Sequence, residues 1–577
     1  MKRSFTPMLA LTLLVMSAPM SVRADDKQDH RRSIISITIC NSDPTGAVTA
    51  SCGAAYDTER PVLAAGAPAQ TINQAGIGTA TDEHSTVFPP GYLGDNRDYL
   101  FFVASGSKGV NPDIGMMVLS SPGPDKHGQW TAQTSTANGY GNYSLGLSPG
   151  QVFLPPLKPN QCPDLGADNN PVKQDQTFDL NYSAAGSVFK DPTSESGRLL
   201  MVYEGANDCA GAKGGTKPDH NSYQTIGIAT SLDSGRTWPR YASKGAFMSA
   251  ELPLANPVAG QTDNHGPQAP FGAMGQDVCM GNVCPPHVPD NYGRYLVLSP
   301  SVSLDSLMQK GKPVLNGQFG HSEPSAFVDD AHSDNHGDDD GSPYVYVVTH
   351  YLSDDGLASL QPSSNGRKDD LAVARAKLDH SGATLDFSNW NGASFAFDND
   401  GRGGSASSML PSTSDGNFAA CGDNASRQGR SQGSISWVEE TRQYLLVFVC
   451  TSPGDPALGV PTAGETGSAW FYATADNLSD QSGWSIPKEI EGSYARHAES
   501  NQTNDPEQSN NDCPTFNGWY PNLMSLNKAP GHLSSHGYVF YLIGSLGACT
   551  DDDNDGDGGL APRTYASRQF TIVTAPR

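Results

Sequence analysis

Positive charge is what this chain has least of. Lys and Arg number 36 against 61 Asp and Glu, for a formal net charge of −25 over 577 residues. Nucleic-acid binding rests on neutralising phosphates with Lys and Arg, so the balance argues against such a partner. Charge of either sign is scarce too, at 17%, below the roughly 25% usual in globular domains. Long apolar runs are missing: beyond the N-terminus nothing approaches the about 18 apolar residues that a spanning helix needs, so no membrane span is expected. Cys-x-x-Cys spacings are missing as well, which sets aside zinc and redox motifs of that type.

The N-terminus and the turn formers supply the positive content. Residues 1–24 combine a basic start (Lys2, Arg3), an apolar run from Met8 to Met16 and the small-residue ending Val22-Arg23-Ala24. They read as a secretory signal peptide, and the protein as secreted or periplasmic. The ten cysteines all follow that segment, an even number suited to an oxidising compartment. Neighbour pairing in hairpins gives Cys40–Cys52, Cys162–Cys209, Cys279–Cys284, Cys421–Cys450 and Cys513–Cys549 as the expected disulfides. With 62 Gly and 42 Pro, the chain is built for many turns and few helices.

A repeat then organises residues 25–577 as one domain. Five short runs are rich in aromatic and branched residues: Tyr99–Val103, Leu199–Tyr203, Tyr344–Val348, Tyr444–Phe448 and Tyr538–Leu542. Each is bounded by turn formers and reads as a buried strand. A second extended segment follows each run, at 114–121, 225–231, 371–378, 468–475 and 562–570. A third precedes each, at 85–90, 186–192, 324–330, 433–440 and 521–527. Trp130, Trp238, Trp390 and Trp484 close the first four units and read as packing residues. The spacing is near 100 residues except for one longer interval, which places an insertion at about 239–320. The pattern predicts an all-β fold, a five-bladed β-propeller of four-stranded antiparallel blades. Ser33–Cys40 is placed to complete the last blade near Arg568–Val573, which would leave no open edge.

Over most residues from Gly76 to Phe570 this blade pattern resembles the five-bladed propeller glycosidases, the group of arabinanases, xylosidases, invertases and levansucrases. That resemblance implies a glycoside hydrolase acting on an oligo- or polysaccharide, as a monomer, with its site in the central funnel. In that group the residues opening the inner strands carry the chemistry. Here His84, Ala185, Glu323, Gln432 and Tyr520 take the equivalent positions. Glu323, in HSEPS, falls where the group has its general acid. Asp82 is the candidate base, and Asp179 the candidate for the second acid that Ala185 does not supply. His84, Tyr182, Glu204, His321, Arg430, Gln432, Trp519 and Tyr520 are candidate substrate contacts, polar and aromatic groups that would converge in a concave site. Asp191, in FKDP, looks like part of the invertase signature but falls at the far end of its strand.

A second resemblance competes with the first. SLDSGRTW (231–238) resembles the Asp box of sialidases, which marks outer propeller turns. A sialidase-like enzyme would use Arg427 and Arg430 to hold a carboxylate, with Tyr520 and Glu323 as nucleophile and base. A polysaccharide lyase would use the same residue types. A non-catalytic glycan-binding propeller is the remaining alternative.

Two acidic loops bear on metal. Asp553-x-Asp555-x-Asp557-Gly558 resembles the start of an EF-hand loop and is a candidate calcium site, although Thr564 stands where a twelfth acidic ligand would be. The loop 329–341 is oxygen-rich but less regular, and its Asp content suits calcium better than zinc on His332 and His336.

Overall fold

The computed structural model describes residues 32–39, 84–89, 91–93, 97, 99–105, 114–120, 131–132, 151–153, 182–194, 197–207, 222–231, 234–235, 238, 294–299, 318–330, 342–352, 369–378, 385–396, 406–410, 430–452, 467–490, 515–525, 528–545 and 564–576. Among them there is no α-helix, only the 3-10 turn Gln481–Gly483, and no helix long and apolar enough to cross a membrane.

The strands form four hydrogen-bonded sheets, one of them nine-stranded and made of two antiparallel sets, so that five antiparallel sets, each called a sheet below, follow one another along the described residues. The first runs Thr86–Phe88, Tyr99–Ser105, Ile114–Ser120 and Thr131–Ala132, with Gln151–Phe153 also on the third strand. The second runs Tyr182–Lys190, Leu199–Asn207, Ser222–Ser231 and Arg294–Leu298. Its fourth strand therefore lies inside the stretch read as an insertion. The third runs Gln318–Asp329, Tyr344–Leu352, Asp369–Lys377 and Ser388–Trp390, extended by Phe395–Ala396. The fourth runs Arg430–Val438, Gln443–Ser452, Gly467–Ala475 and Lys488–Glu489. The fifth runs Thr515–Met524, His536–Ser545 and Thr564–Pro576, and its outer place is taken by the N-terminal strand Arg32–Ile39, which pairs with Phe570–Pro576. Chain start and chain end thus share one sheet. A short parallel pairing of Gln318–Gly320 with Ser222–Gln224 ties the second sheet to the third.

Inner strands close the ring through direct hydrogen bonds. Val188 N donates to Thr86 Oγ1 (3.0 Å), and the Ser187 hydroxyl donates to Ser325 Oγ (3.5 Å). Gln432 Nε2 donates to Glu323 Oε1 (3.3 Å) and Ser434 Oγ to the Pro521 carbonyl (2.9 Å). Asn522 Nδ2 donates to the Ser85 carbonyl (2.6 Å), which joins the fifth sheet back to the first. The fold is an all-β propeller.

The energy of the fold lies between sheets. Successive pairs enclose apolar clusters: Phe88, Phe101, Met201 and Trp238 between the first and second, Val202, Ile228, Val345 and Val347 between the second and third. Val348, Trp390, Phe448 and Trp484 fill the next interface, and Val447, Trp470, Leu523 and Val539 the one after. Each strand offers alternate residues to two neighbours, which is why the runs read as continuously apolar rather than alternating. Trp238, Trp390 and Trp484 are buried packing residues. At the Asp-box turn Ser231 Oγ accepts from Gly235 N (2.9 Å), and Trp238 Nε1 donates to the Gly235 carbonyl (3.0 Å). Gly235 has φ +83° and lies against Phe101, so a side chain there meets strain and a clash together.

A buried ion pair fixes the second sheet's first turn. Asp191 is fully buried; it accepts from Arg198 Nε (3.0 Å), from Thr193 N (2.8 Å) and from Thr193 Oγ1 (2.7 Å). It follows Lys190, which lines a cavity of about 90 Å³ with Tyr92, Asp330 and His532 at the strand-end side of the ring. Asp191 therefore stands at the far end of its strand, as its register in the sequence implied, and its role is structural. Asp191→Ala leaves Arg198 buried without its counter-charge, and the expected cost is about 3–5 kcal/mol. Urea unfolding reads this directly. A loss under about 0.5 kcal/mol would show that the turn holds without the pair.

Candidate active site

Four inner strands share one irregularity. The pairing register shifts between Ala185 and Val188, between Ser322 and Ser325, between Ser431 and Ser434, and between Trp519 and Asn522. These are bulges at equivalent positions, and a bulge re-aims the side chain beside it. Glu323, Gln432 and Tyr520 accordingly adopt left-handed backbone, with φ of 53°, 56° and 55°. Each such residue costs about 1–3 kcal/mol and is held only where its surroundings over-determine it. The residue that follows is Pro or Gly in every case: Gly186, Pro324, Gly433, Pro521. At Gly186 the reason is contact, because a Cβ there would lie 2.4 Å from the Pro324 carbonyl oxygen.

The bulges bring the opening residues together. Tyr520 Oη donates to Glu323 Oε1 (3.1 Å). Gln432 Nε2 donates to the same oxygen (3.3 Å), while Gln432 Oε1 accepts from Tyr520 N (2.9 Å). Because a backbone N–H only donates, that last bond fixes which end of the Gln432 amide is which. Glu204, from the second sheet's neighbouring strand, is buried and accepts from Glu323 N through Oε2 (2.9 Å). His84 packs edge-on against Tyr520 with ring centroids 5.4 Å apart. His350 Nδ1 stands 3.4 Å from Glu323 Oε2. That oxygen, His350 Nε2 and both ring nitrogens of His84 are buried without a hydrogen-bond partner among the described residues.

Charge around this cluster is arranged unevenly. Arg430 forms an ion pair with Asp370 (2.6 Å) and also donates to Ser408 Oγ (3.3 Å). His321 Nδ1 is 2.9 Å from Thr349 Oγ1, and its ring lies 4.6 Å from that of Tyr351. Burial pushes the His84 and His321 imidazoles down to about 3, so both are neutral at physiological pH.

Of the residues singled out in the sequence, Glu323, Gln432, Tyr520, Glu204 and His84 meet in one cluster. His321 lies on the Glu323 strand, and Arg430 on the Gln432 strand is committed to Asp370. Asp82, Asp179, Arg427 and the Asp553, Asp555 and Asp557 loop lie outside the described residues, as do the side chains of Tyr182, Trp519 and the ten cysteines. His350 and Asp370 were not anticipated. Their signal is the break from apolar to polar at the ends of Tyr344–Leu352 and the start of Asp369–Lys377.

No protein-family model and no curated protein matches the chain. Solved structures similar to it include an N-acetylgalactosamine deacetylase from F. plautii (10% identity, 88% of this chain and 93% of that one, TM-score 0.35). Others are an endo-1,5-alpha-L-arabinanase from Thermotoga petrophila RKU-1 (10%, 87% and 76%, 0.33) and a B. megaterium levansucrase (10%, 86% and 84%, 0.34). The likeness is remote in every case.

Proposed function

We propose that the protein is an exported glycoside hydrolase whose site is the strand-opening end of the propeller, with Glu323 as general acid. One observation carries the reading: a carboxylate on strained backbone, with one oxygen held by two donors and the other buried without a hydrogen-bond partner among the described residues. Strain and unmet hydrogen bonding of this kind accumulate where a ligand completes the site. Asp82, two residues before His84, is the proposed base, and Asp179, three before Tyr182, the proposed helper.

A second reading has its own support. The 3.1 Å bond from Tyr520 to Glu323 is also the geometry of a hydroxyl activated by a carboxylate, the pairing a sialidase-like mechanism would use. Arg430 supports it less, because Asp370 already neutralises that guanidinium.

The test is a screen of arabinan, xylan, fructan and sialoside substrates for reducing-end release, followed by Tyr520→Phe. Under the first reading the hydroxyl is one of two donors to Oε1, so the loss is that of a single hydrogen bond, about 1 kcal/mol or roughly fivefold. Under the second the nucleophile is gone and the loss reaches at least about 10²-fold. Binding of a glycan with no cleavage of any would replace both readings with a lectin-like one.

A further inference from the structure

We propose that His350 is the positioning residue that sets the proton on the working oxygen of Glu323. The proposal rests on the glycosidase reading and assigns the two carboxylate oxygens different tasks. Oε1 accepts from Tyr520 Oη and from Gln432 Nε2, and Gln432 cannot turn round because its own oxygen is held by Tyr520 N. Two fixed donors leave no place for an acidic proton there. The proton that a general acid delivers therefore resides on Oε2.

His350 is the group next to that oxygen. It stands on the second strand of the third sheet, opposite Ser322 in register, so it faces the opening of the Glu323 strand. Its Nδ1 is 3.4 Å from Oε2 and the two side chains are only 16% and 17% exposed. This is longer than a finished hydrogen bond, as catalytic contacts often are before substrate arrives. Nε2 has no hydrogen-bond commitment among the described residues. An imidazole so placed takes a proton on one nitrogen and releases one from the other. Among the described residues, the other titratable groups around Glu323 are otherwise engaged or neutral. Glu204 binds its backbone N–H, Tyr520 its Oε1, Asp370 pairs with Arg430, and His84 and His321 are uncharged.

The balance is that of hydrolysis. Oε2 gives its proton to the departing glycosidic oxygen as the C–O bond breaks. Water adds its hydroxyl to the anomeric carbon while its remaining proton passes to the proposed base Asp82 and on to solvent, and Oε2 regains a proton from solvent through the imidazole. No redox partner is needed.

Two measurements on the full-length protein test this. In the first, imidazole ¹⁵N resonances are compared between wild type and Glu323→Gln. The His350 Nδ1 signal should move, with His536 as a distant reference that stays. A stationary His350 signal overturns the proposal whether or not any glycan is cleaved. In the second, on a substrate found by the screen, His350→Gln should lower kcat roughly 10- to 100-fold with little change in KM, below the about 10²–10⁴-fold of losing the acid itself. It should also shift the alkaline limb of the pH–rate profile, the limb that reports the protonated general acid. Unchanged kcat and pH profile overturn the proposal and leave the glycosidase reading standing. Failure of every substrate removes that reading, and the resonance test then decides the His350 contact alone.

Discussion

Glu323→Gln is expected to remove most turnover, about 10²–10⁴-fold, while glycan binding and the unfolding midpoint stay near wild type. The substitution is informative because the site orients it. Tyr520 and Gln432 both donate to the Oε1 position, so the new amide must place its oxygen there and its NH2 at the Oε2 position. The donors that hold the strained strand are kept, and only the transferable proton is lost. Aryl glycosides with good leaving groups need less protonation and should retain more activity than polysaccharide. Single-turnover rates on both substrate types read this difference. Full turnover in a purified Glu323→Gln preparation would remove Glu323 from the acid role and leave Tyr520 as the residue to pursue.

The ring was legible in the sequence because each blade repeats the same physical problem. A strand buried on both faces needs a continuous branched and aromatic run, and all five runs coincide with second strands of the sheets. The N-terminal closure followed from the need to cover a sheet edge, and Ile34, Ile37 and Ile39 lie buried against the fourth and fifth sheets. Register at the strand openings was legible too: His84, Glu323, Gln432 and Tyr520 open successive inner strands and lie in one cluster. What the residues could not announce was how backbone geometry aims them. The bulges are signalled only by a Pro or Gly after the opening residue, and Ala185-Gly186 shows the same signal with no functional side chain. Contributions from second strands were harder still. Glu204 sits in YEGAN and His350 in VTHYL, where a polar residue ending an apolar strand is usually a solvated terminus. Glu204 was a candidate all the same, whereas only the neighbouring inner strand turns His350 into a site residue.

That neighbour also explains how the strain is borne. Glu323 N is held by Glu204, Tyr520 N by Gln432, and both bonds run between sheets. The left-handed backbone is thus fixed by assembly of the ring rather than by local sequence. Packing between blades and site geometry are therefore one property, and variants that loosen an interface such as Trp390 or Trp484 act on the site at a distance.

Acid should destabilise the fold more steeply than its carboxylates alone would require, and His84 and His321 are the reason. Both rings are buried, at 0% and 1% exposure, and burial lowers their folded-state values from 6.5 to about 3. The unfolded chain takes up a proton on each near pH 6.5, whereas the folded chain does not until about pH 3. Between those limits the unfolded state binds more protons, so stability rises with pH. The contribution is whole above pH 6.5 and is lost progressively as pH falls toward 3. At pH 5 each ring should already account for about 2 kcal/mol, a large share of the about 5–15 kcal/mol that a domain usually has. Urea midpoints at pH 7 and pH 5 for wild type, His84→Asn and His321→Asn measure it. Each variant should be less sensitive to the pH change than wild type by about 2 kcal/mol, whatever its stability at pH 7. The two should also differ in the presence of a bound glycan. His84 has two ring nitrogens beside Tyr520 that find no hydrogen-bond partner among the described residues, so a ligand hydroxyl can satisfy it, while His321 already has Thr349. Identical pH dependence in wild type and His84→Asn would mean that the ring is solvated in the folded protein, and that the opening of the first blade is wetter than the geometry implies.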